Sequence, residues 1–346
     1  MIDSFAEKDL FSGVVYLKQH DEEIFSKAVG LANRQFDIEN HIEMQYATAS
    51  VTKMFTAVGI FQLIEKGKIS LKTRVVDYLG LEDSLIPDDV EIHHLLTHTS
   101  GIADYYDEED PEGFEMLWRD VPCNAIDNLP KMLPLFLDEN PKYIMGDKFS
   151  YNGAGYILLG LIIQHASGME YFDYIRTHLF KKIGMNESDF IALDTVKKDT
   201  AEGYIPIKDG DNHIKGWRRN IYAVPAYGLS DGGAFSTAKD LVKFMKALRN
   251  GELVSNAFLD HYLKPFVQVS KNWRYGYGFW FDVEDDILLR YGHTGEDPGV
   301  SARVFYYPEL DLDFVVLGNQ SFCAGNLTWQ LHQIILEEIE DYKKTH

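Results

Sequence analysis

A chain of 346 residues, 45% apolar and 13% aromatic, can bury a large core, and at roughly 150 residues per domain it has room for about two domains. Acids outnumber bases 54 to 33, giving a formal charge of −21 that repels nucleic acid and anionic lipid, so neither is an expected partner. Cys123 and Cys323 are the only cysteines, too few for a disulfide framework and without metal spacing.

In chain order, residues 13–20 and 23–30 read as a β-hairpin turning at Asp21-Glu22. The opening MIDSFAEKDLFSG has no basic n-region or apolar h-region, which predicts no signal peptide and a reducing, cytoplasmic location; a mature form that had lost its leader would begin the same way. From residue 50 the apolar residues Val51, Met54, Phe55, Val58, Phe61, Leu63 and Ile64 recur at helical spacing, and Gly67 ends the run. Helical patterns are then expected at about 90–98, 124–138, 154–167 (closed by Gly168) and 171–182 (closed by Gly184). The uncharged stretch 149–169 carries Asn152, Gln164, His165 and Ser167, and its apolar run is too short to span a membrane. Residues 185–235 read as irregular, and a helix at 237–249 follows, capped by Ser236 or Thr237. Four strands are expected at 275–283, 287–292, 301–307 and 312–318, then a helix over 324–342. With β structure at both ends and helices between, the expected class is α+β: an antiparallel sheet from both termini, flanked by helices, with a mainly helical insertion.

Ser50 and Lys53 stand three apart at the start of the first long helical pattern, on one face. A serine hydroxyl needs a neighbouring base before it is a useful nucleophile. A lysine serves when burial and the positive end of a helix disfavour its charged form, and N–H groups at that terminus can stabilise an oxyanion. Taken alone, the tetrapeptide is better explained as a capping serine followed by a surface lysine.

Other candidates reduce to structure. His94 and His98 are four apart, but Leu95 stands where a HExxH zinc motif needs glutamate, and no third ligand cluster is evident, so no metal is expected. GAGYILLG (153–160) has neither the preceding strand nor the glycine spacing of a phosphate loop, so it reads as a tightly packed helix start, and no cofactor is expected. No Gly-x-Ser-x-Gly occurs, which argues against an α/β-hydrolase. The sequons at Asn186, Asn319 and Asn326 mean little without a secretory signal. The acidic run 104–115 lacks EF-hand spacing and reads as a solvated loop.

Read together, SVTK (50–53), FSYNGAGYILLG (149–160) and GHTGEDPG (292–299) resemble the serine β-lactamase and penicillin-binding-protein superfamily, especially its esterase, D-aminopeptidase and class C-like branch. GLANRQFDIEN, FTAVGIFQLIEKGKISL, HHLLTHTSGI, GLSDGGAFSTAKDLVKFMKAL and YGYGF match in the same order, so the resemblance runs from about residue 10 to 320. It implies a β-lactamase-like fold with a sheet domain (1–66 plus 225–346), a mainly helical domain (67–224) and the active site between them. It also implies a serine hydrolase acting on a small ester, amide or short peptide. In the roles it implies, Ser50 is the nucleophile, Lys53 its activating base, and Tyr151 the proton shuttle to the leaving group. His293, Thr294 and Gly295 match the family's Lys-Thr-Gly element, and the N–H groups of Ser50 and Glu296 would form the oxyanion hole.

The sequence departs from the family pattern twice. Where the Tyr-x-Asn element ends in asparagine stands Gly153, with Asn152 one position early, so either Asn152 substitutes or the amide contact is missing. His293 replaces a lysine and is mostly neutral at pH 7, which weakens the pull on a substrate carboxylate and favours esterase or D-amino-acid peptidase activity over β-lactam hydrolysis. The alternatives are a penicillin-binding carboxypeptidase or β-lactamase and a non-catalytic, ligand-binding descendant. In relatives the acidic run lies near the cleft rim, where it would favour neutral or cationic substrates.

Overall fold

The structure, a computed structural model, describes residues 1–106 and 113–345. Its frame is an eight-stranded, wholly antiparallel sheet. In chain order the strands are β1 (Gly13–Gln19), β2 (Glu22–Val29), β3 (Val267–Gln268), β4 (Trp273–Tyr275), β5 (Trp280–Glu284), β6 (Ile287–Asp297), β7 (Val300–Tyr307) and β8 (Leu312–Gly318). Their spatial order is β2-β1-β8-β7-β6-β5-β4-β3, so the N-terminal hairpin pairs with the last strand and both chain ends build one sheet. This is the α+β architecture expected.

Period-two alternation sorts the strand residues into two layers. Val14, Tyr16, Val304, Val315 and Leu317 face a large core shared with the central helices. Val15, Phe305, Tyr307, Phe314 and Val316 face a smaller core under the C-terminal helix, where Leu327, Ile335 and Ile339 cover them. The large core is organised on helix α1 (Thr52–Glu65), whose residues from Thr52 to Leu63 are all buried. It packs against α2 (Gly153–Ser167), buried from Gly153 to Gly160 and closed at Gly168 as expected. Helix α3 (Ala238–Arg249) starts at Thr237, whose side chain accepts the Asp240 N–H, and α4 (Ala324–Thr345) closes the chain. A helix buried all round, such as α1, cannot drift, because each large side chain deep in the core is worth about 1.5–3 kcal/mol relative to exposure.

Several local expectations are corrected. Residues 124–138 form two 3₁₀ segments, Cys123–Ala125 and Leu129–Leu135, because Pro130 and Pro134 remove donors that an α-helix needs. The strand expected over 275–283 is broken by a turn at Gly276–Gly278 into β4 and β5. The strand expected over 287–292 runs on to Asp297, carrying the His-Thr-Gly element in the sheet. The helix expected over 90–98 covers only Ile92–Leu96; His98 lies beyond it with φ 56°, so His94 and His98 share no helical face. The irregular segment 185–235 contains a hairpin pairing Tyr204–Lys208 with Ile214–Arg219, and a short helix at Asn256–Tyr262 was not expected. Among the described residues no helix is long and apolar enough to cross a membrane.

Candidate active site

Ser50 sits in a 3₁₀ turn, Ala49–Val51, immediately before α1 and not on its first α-helical turn. Ala49 carries φ 46°, a left-handed conformation that costs a non-glycine residue roughly 1 kcal/mol or more and that recurs at functional sites. The turn is held from two sides. Gly233 N–H donates to the Ala49 carbonyl, and β6 runs so close that a Cβ at Gly295 would lie 2.2 Å from the Thr48 carbonyl oxygen and 3.2 Å from the Ser50 nitrogen. Only glycine fits there.

Lys53, the second residue of α1, is 2% exposed. Its Nζ lies 3.1 Å from Ser50 Oγ and donates to the Asp231 carbonyl at 2.7 Å. It is also 4.8 Å from the centroid of the Tyr151 ring. Ser50, Lys53 and Tyr151, about a hundred residues apart in sequence, therefore meet in one place, as the sequence reading requires.

Tyr151 is positioned by what surrounds it. The His98 ring lies 4.3 Å away, and Trp280 stacks on the other side at 6.3 Å. His98 Nδ1 accepts the Asn152 N–H at 3.0 Å, and its carbonyl accepts the Ser150 N–H, so both neighbours of Tyr151 are tied to one histidine. Burial, then the nearby Lys53, hold the His98 pKa well below the usual imidazole value, so the ring stays neutral. His98 is thus structural, as expected, but what it structures is the candidate site. The first turn of α2 is fixed by Asp104, whose carboxylate accepts the N–H groups of Gly153 at 2.7 Å and Ala154 at 2.9 Å. Asp104 heads the acidic run expected to be a solvated loop; it is instead a helix cap. Residues 107–112 of that run lie outside the described residues.

The two departures from the family pattern receive a physical account. Asn152 turns its amide inward: Oδ1 accepts the Gly155 N–H as the cap of α2 and Nδ2 donates to the Ile102 carbonyl, leaving the side chain 6% exposed. Of the two alternatives for this element, the geometry matches the missing amide contact. The space beside Gly153 holds the Tyr105 phenol, which would lie 2.7 Å from a Cβ there. Tyr105 in turn donates to Asp231 Oδ2.

His293 is fully buried and lies beneath the site rather than in it. Its Nδ1 is 2.6 Å from the Thr294 carbonyl, which only accepts, so Nδ1 carries the proton and Nε2 accepts the Tyr275 O–H at 3.0 Å. Burial depresses its pKa to about 3. Both ring nitrogens are spent inside the protein, so His293 offers no charge and no donor to a ligand. The Glu296 side chain likewise turns away, pairing with Ser301 and Arg303, and leaves only its backbone at the turn.

A cavity of about 690 Å³ opens beside Ser50 and Lys53. Tyr105, Gly153, Asn220, Asp231, Gly233 and Asp297 contribute its polar side, and Ile191, Leu193, Val224, Phe235 and Val300 its apolar side. Sequence reasoning missed Tyr105, Asp231, His98, Tyr275 and Trp280 as site residues; the only signal was that they fall in or near the family phrases. Among the described residues no three His, Cys, Asp or Glu side chains are grouped to hold a metal ion.

The comparisons with known proteins agree with this geometry. The family model described as Beta-lactamase matches residues 1–330. Penicillin-binding protein 4 of Amycolatopsis lactamdurans is 29% identical over 335 residues, covering 92% of this chain and 83% of that protein. Esterase EstB of Burkholderia gladioli is 23% identical over 365 residues, covering 95% and 91%. The crystal structure of a penicillin-binding protein from Bacillus halodurans superimposes with a TM-score of 0.90 at 38% identity, covering 96% of this chain and all of that one.

Proposed function

From the premise that this chain belongs to the beta-lactamase family, we propose that it is a serine hydrolase that cleaves small esters or amides through an acyl-enzyme on Ser50. The observation that carries the reading is the 3.1 Å approach of Lys53 Nζ to Ser50 Oγ at the edge of a partly apolar cavity. Ser50 Oγ attacks the substrate carbonyl carbon as its proton passes to Lys53 Nζ. The carbonyl oxygen becomes an oxyanion facing the N–H groups of Ser50 and Glu296 across the Gly295 contact. Tyr151, beside Lys53, relays the proton to the departing alcohol or amine. Water then attacks the acyl-enzyme, giving its proton to the same base, and Ser50 leaves with a proton restored. On this reading the cleft lies between a sheet domain (1–66 with 225–346) and a mainly helical domain (67–224). Ser50 and Gly295 come from the first, and Tyr105 and Tyr151 from the second.

Esterase or D-amino-acid peptidase activity ranks ahead of β-lactam hydrolysis. The residue in the place of the family lysine, His293, is neutral and buried, so nothing there attracts a carboxylate. The test is intact-protein mass spectrometry with p-nitrophenyl acetate and, separately, a penicillin, alongside p-nitrophenol release. Rapid release with little penicillin adduct is expected, and Ser50→Ala abolishes both turnover and labelling by a fluorophosphonate. A stable penicillin adduct on the Ser50 peptide would make the chain a penicillin-binding enzyme. Neither adduct nor turnover would leave a ligand-binding descendant, and labelling that persisted in Ser50→Ala would place the nucleophile elsewhere.

A further inference from the structure

The cavity beside Ser50 contains an acidic group that the reaction scheme does not use. Asp231 is 7% exposed and lines the cavity. Its carbonyl is the acceptor that fixes Lys53 Nζ, so the residue stands one hydrogen bond from the base. Of its carboxylate oxygens, Oδ2 accepts the Tyr105 O–H, and Oδ1 has no hydrogen-bond partner among the described residues. Tyr105 can reach it only because position 153 is glycine. The volume left by the absent amide side chain is thus given to a tyrosine that orients a buried carboxylate.

Taking a carboxylate out of water is unfavourable unless donors meet it. Among the described residues lining the cavity, Lys53 is the only cation, and its Nζ is directed to Ser50 and the Asp231 carbonyl. The walls opposite are apolar, through Ile191, Leu193, Val224 and Val300. The site is one donor short, and the missing donor is a compact cation entering with the ligand.

We propose that Asp231, oriented by Tyr105, binds an ammonium group on the acyl portion of the substrate, so that the enzyme selects aminoacyl esters and amides over their neutral isosteres. The proposal rests on the Ser50 hydrolase reading for its placement beside the nucleophile, but its binding test does not require turnover. Phenylalaninamide and 3-phenylpropionamide differ only by the ammonium. Their affinities for Ser50→Ala, measured by calorimetry at pH 6.5 where the amine is charged, are expected to differ by roughly 10- to 100-fold in favour of the cation, the range of a charge-assisted hydrogen bond. The double variant Ser50→Ala/Asp231→Asn is expected to lose that preference, and Ser50→Ala/Tyr105→Phe to keep it, because the carboxylate remains. Equal affinities in Ser50→Ala, or a preference that survives Asp231→Asn, would overturn the proposal. Should Asp231→Asn fail to fold, the comparison of the two amides in Ser50→Ala still decides it. In the enzyme with Ser50 intact, the ratio of kcat/KM for the two matching p-nitroanilides should follow the same order. Ammonium preference in binding with no turnover of either anilide would sink the hydrolase reading and leave the subsite standing.

Discussion

The two walls of the cleft are built by different means. On one side Ser50 and Lys53 flank the start of a helix buried on every face, Gly295 presses on them from an inner strand, and His293 and Tyr275 close the space beneath. Each of these groups belongs to, or directly abuts, the large core. On the other side Tyr105, Asn220, Asp231 and Gly233 come from segments without long helices or strands, and they meet through individual hydrogen bonds. Chemistry that must not vary is placed where packing allows no alternative, and groups that select the substrate hang on loops that can change without disturbing the core. Substitutions on the first wall should therefore cost far more than those on the second.

Lys53→Ala is the severest break. Removing a positioned base should lower turnover of p-nitrophenyl acetate by ~10²–10⁴-fold. The variant also leaves a hole at a buried position, so circular dichroism should accompany the kinetics. Turnover near that of the unmodified enzyme would remove Lys53 from the mechanism and with it the idea that this wall carries the chemistry.

His293 tests the same wall through stability rather than rate. Its pKa is about 3 in the folded protein against 6.5 in the unfolded chain. Above pH 6.5 it is neutral in both states and contributes no pH dependence. As the pH falls below 6.5 the unfolded chain takes up a proton that the folded protein refuses, so stability drops, by up to about 1.4 kcal/mol per pH unit. His98 and His332 are shifted the same way by burial, while the raised carboxyl groups of Asp282, Glu296 and Asp313 act in the opposite sense. His293→Leu keeps those groups and removes only its own share. Urea unfolding at pH 7, 6 and 5 should show a shallower acid slope in the variant. It should also show a lower stability at pH 7, by about 1–3 kcal/mol, because the Tyr275 O–H loses its acceptor. Parallel pH curves for the two proteins would mean that His293 is hydrated and reachable from the cleft.

The same contrast explains what could be read from the sequence. The hairpin, the last two strands, α2 and α3 were legible because apolar periodicity and capping residues such as Thr237 and Gly168 act over short distances. The meeting of Ser50, Lys53 and Tyr151 was legible only through family phrases, since nothing local links residue 151 to residue 50. Tyr105 and Asp231 were not legible at all. Their significance depends on an empty volume at Gly153, and an absent side chain leaves no pattern to count. Asp104 was misread for a related reason: in sequence it is the first of several acids, and only the fold shows that the start of α2 lies against it.

Asp104 supplies the smallest test, and it probes where the two walls join. Its carboxylate accepts two N–H groups of the first turn of α2, at Gly153 and Ala154, two and three residues after Tyr151. Asp104→Ala leaves both donors without that acceptor and removes a negative charge from the positive end of the helix, which should cost about 1 kcal/mol of stability. Asn152 still caps Gly155, so the helix should survive with a loosened first turn. A loosened turn shifts Tyr151 against Lys53, so kcat should fall several-fold while KM for a small neutral ester barely moves. Asp104→Asn retains an acceptor oxygen and should recover part of both losses. A solvated acidic residue would show none of this: the alanine variant would match the unmodified protein in urea midpoint and in kcat, and the acidic run would be the surface loop that its composition suggests.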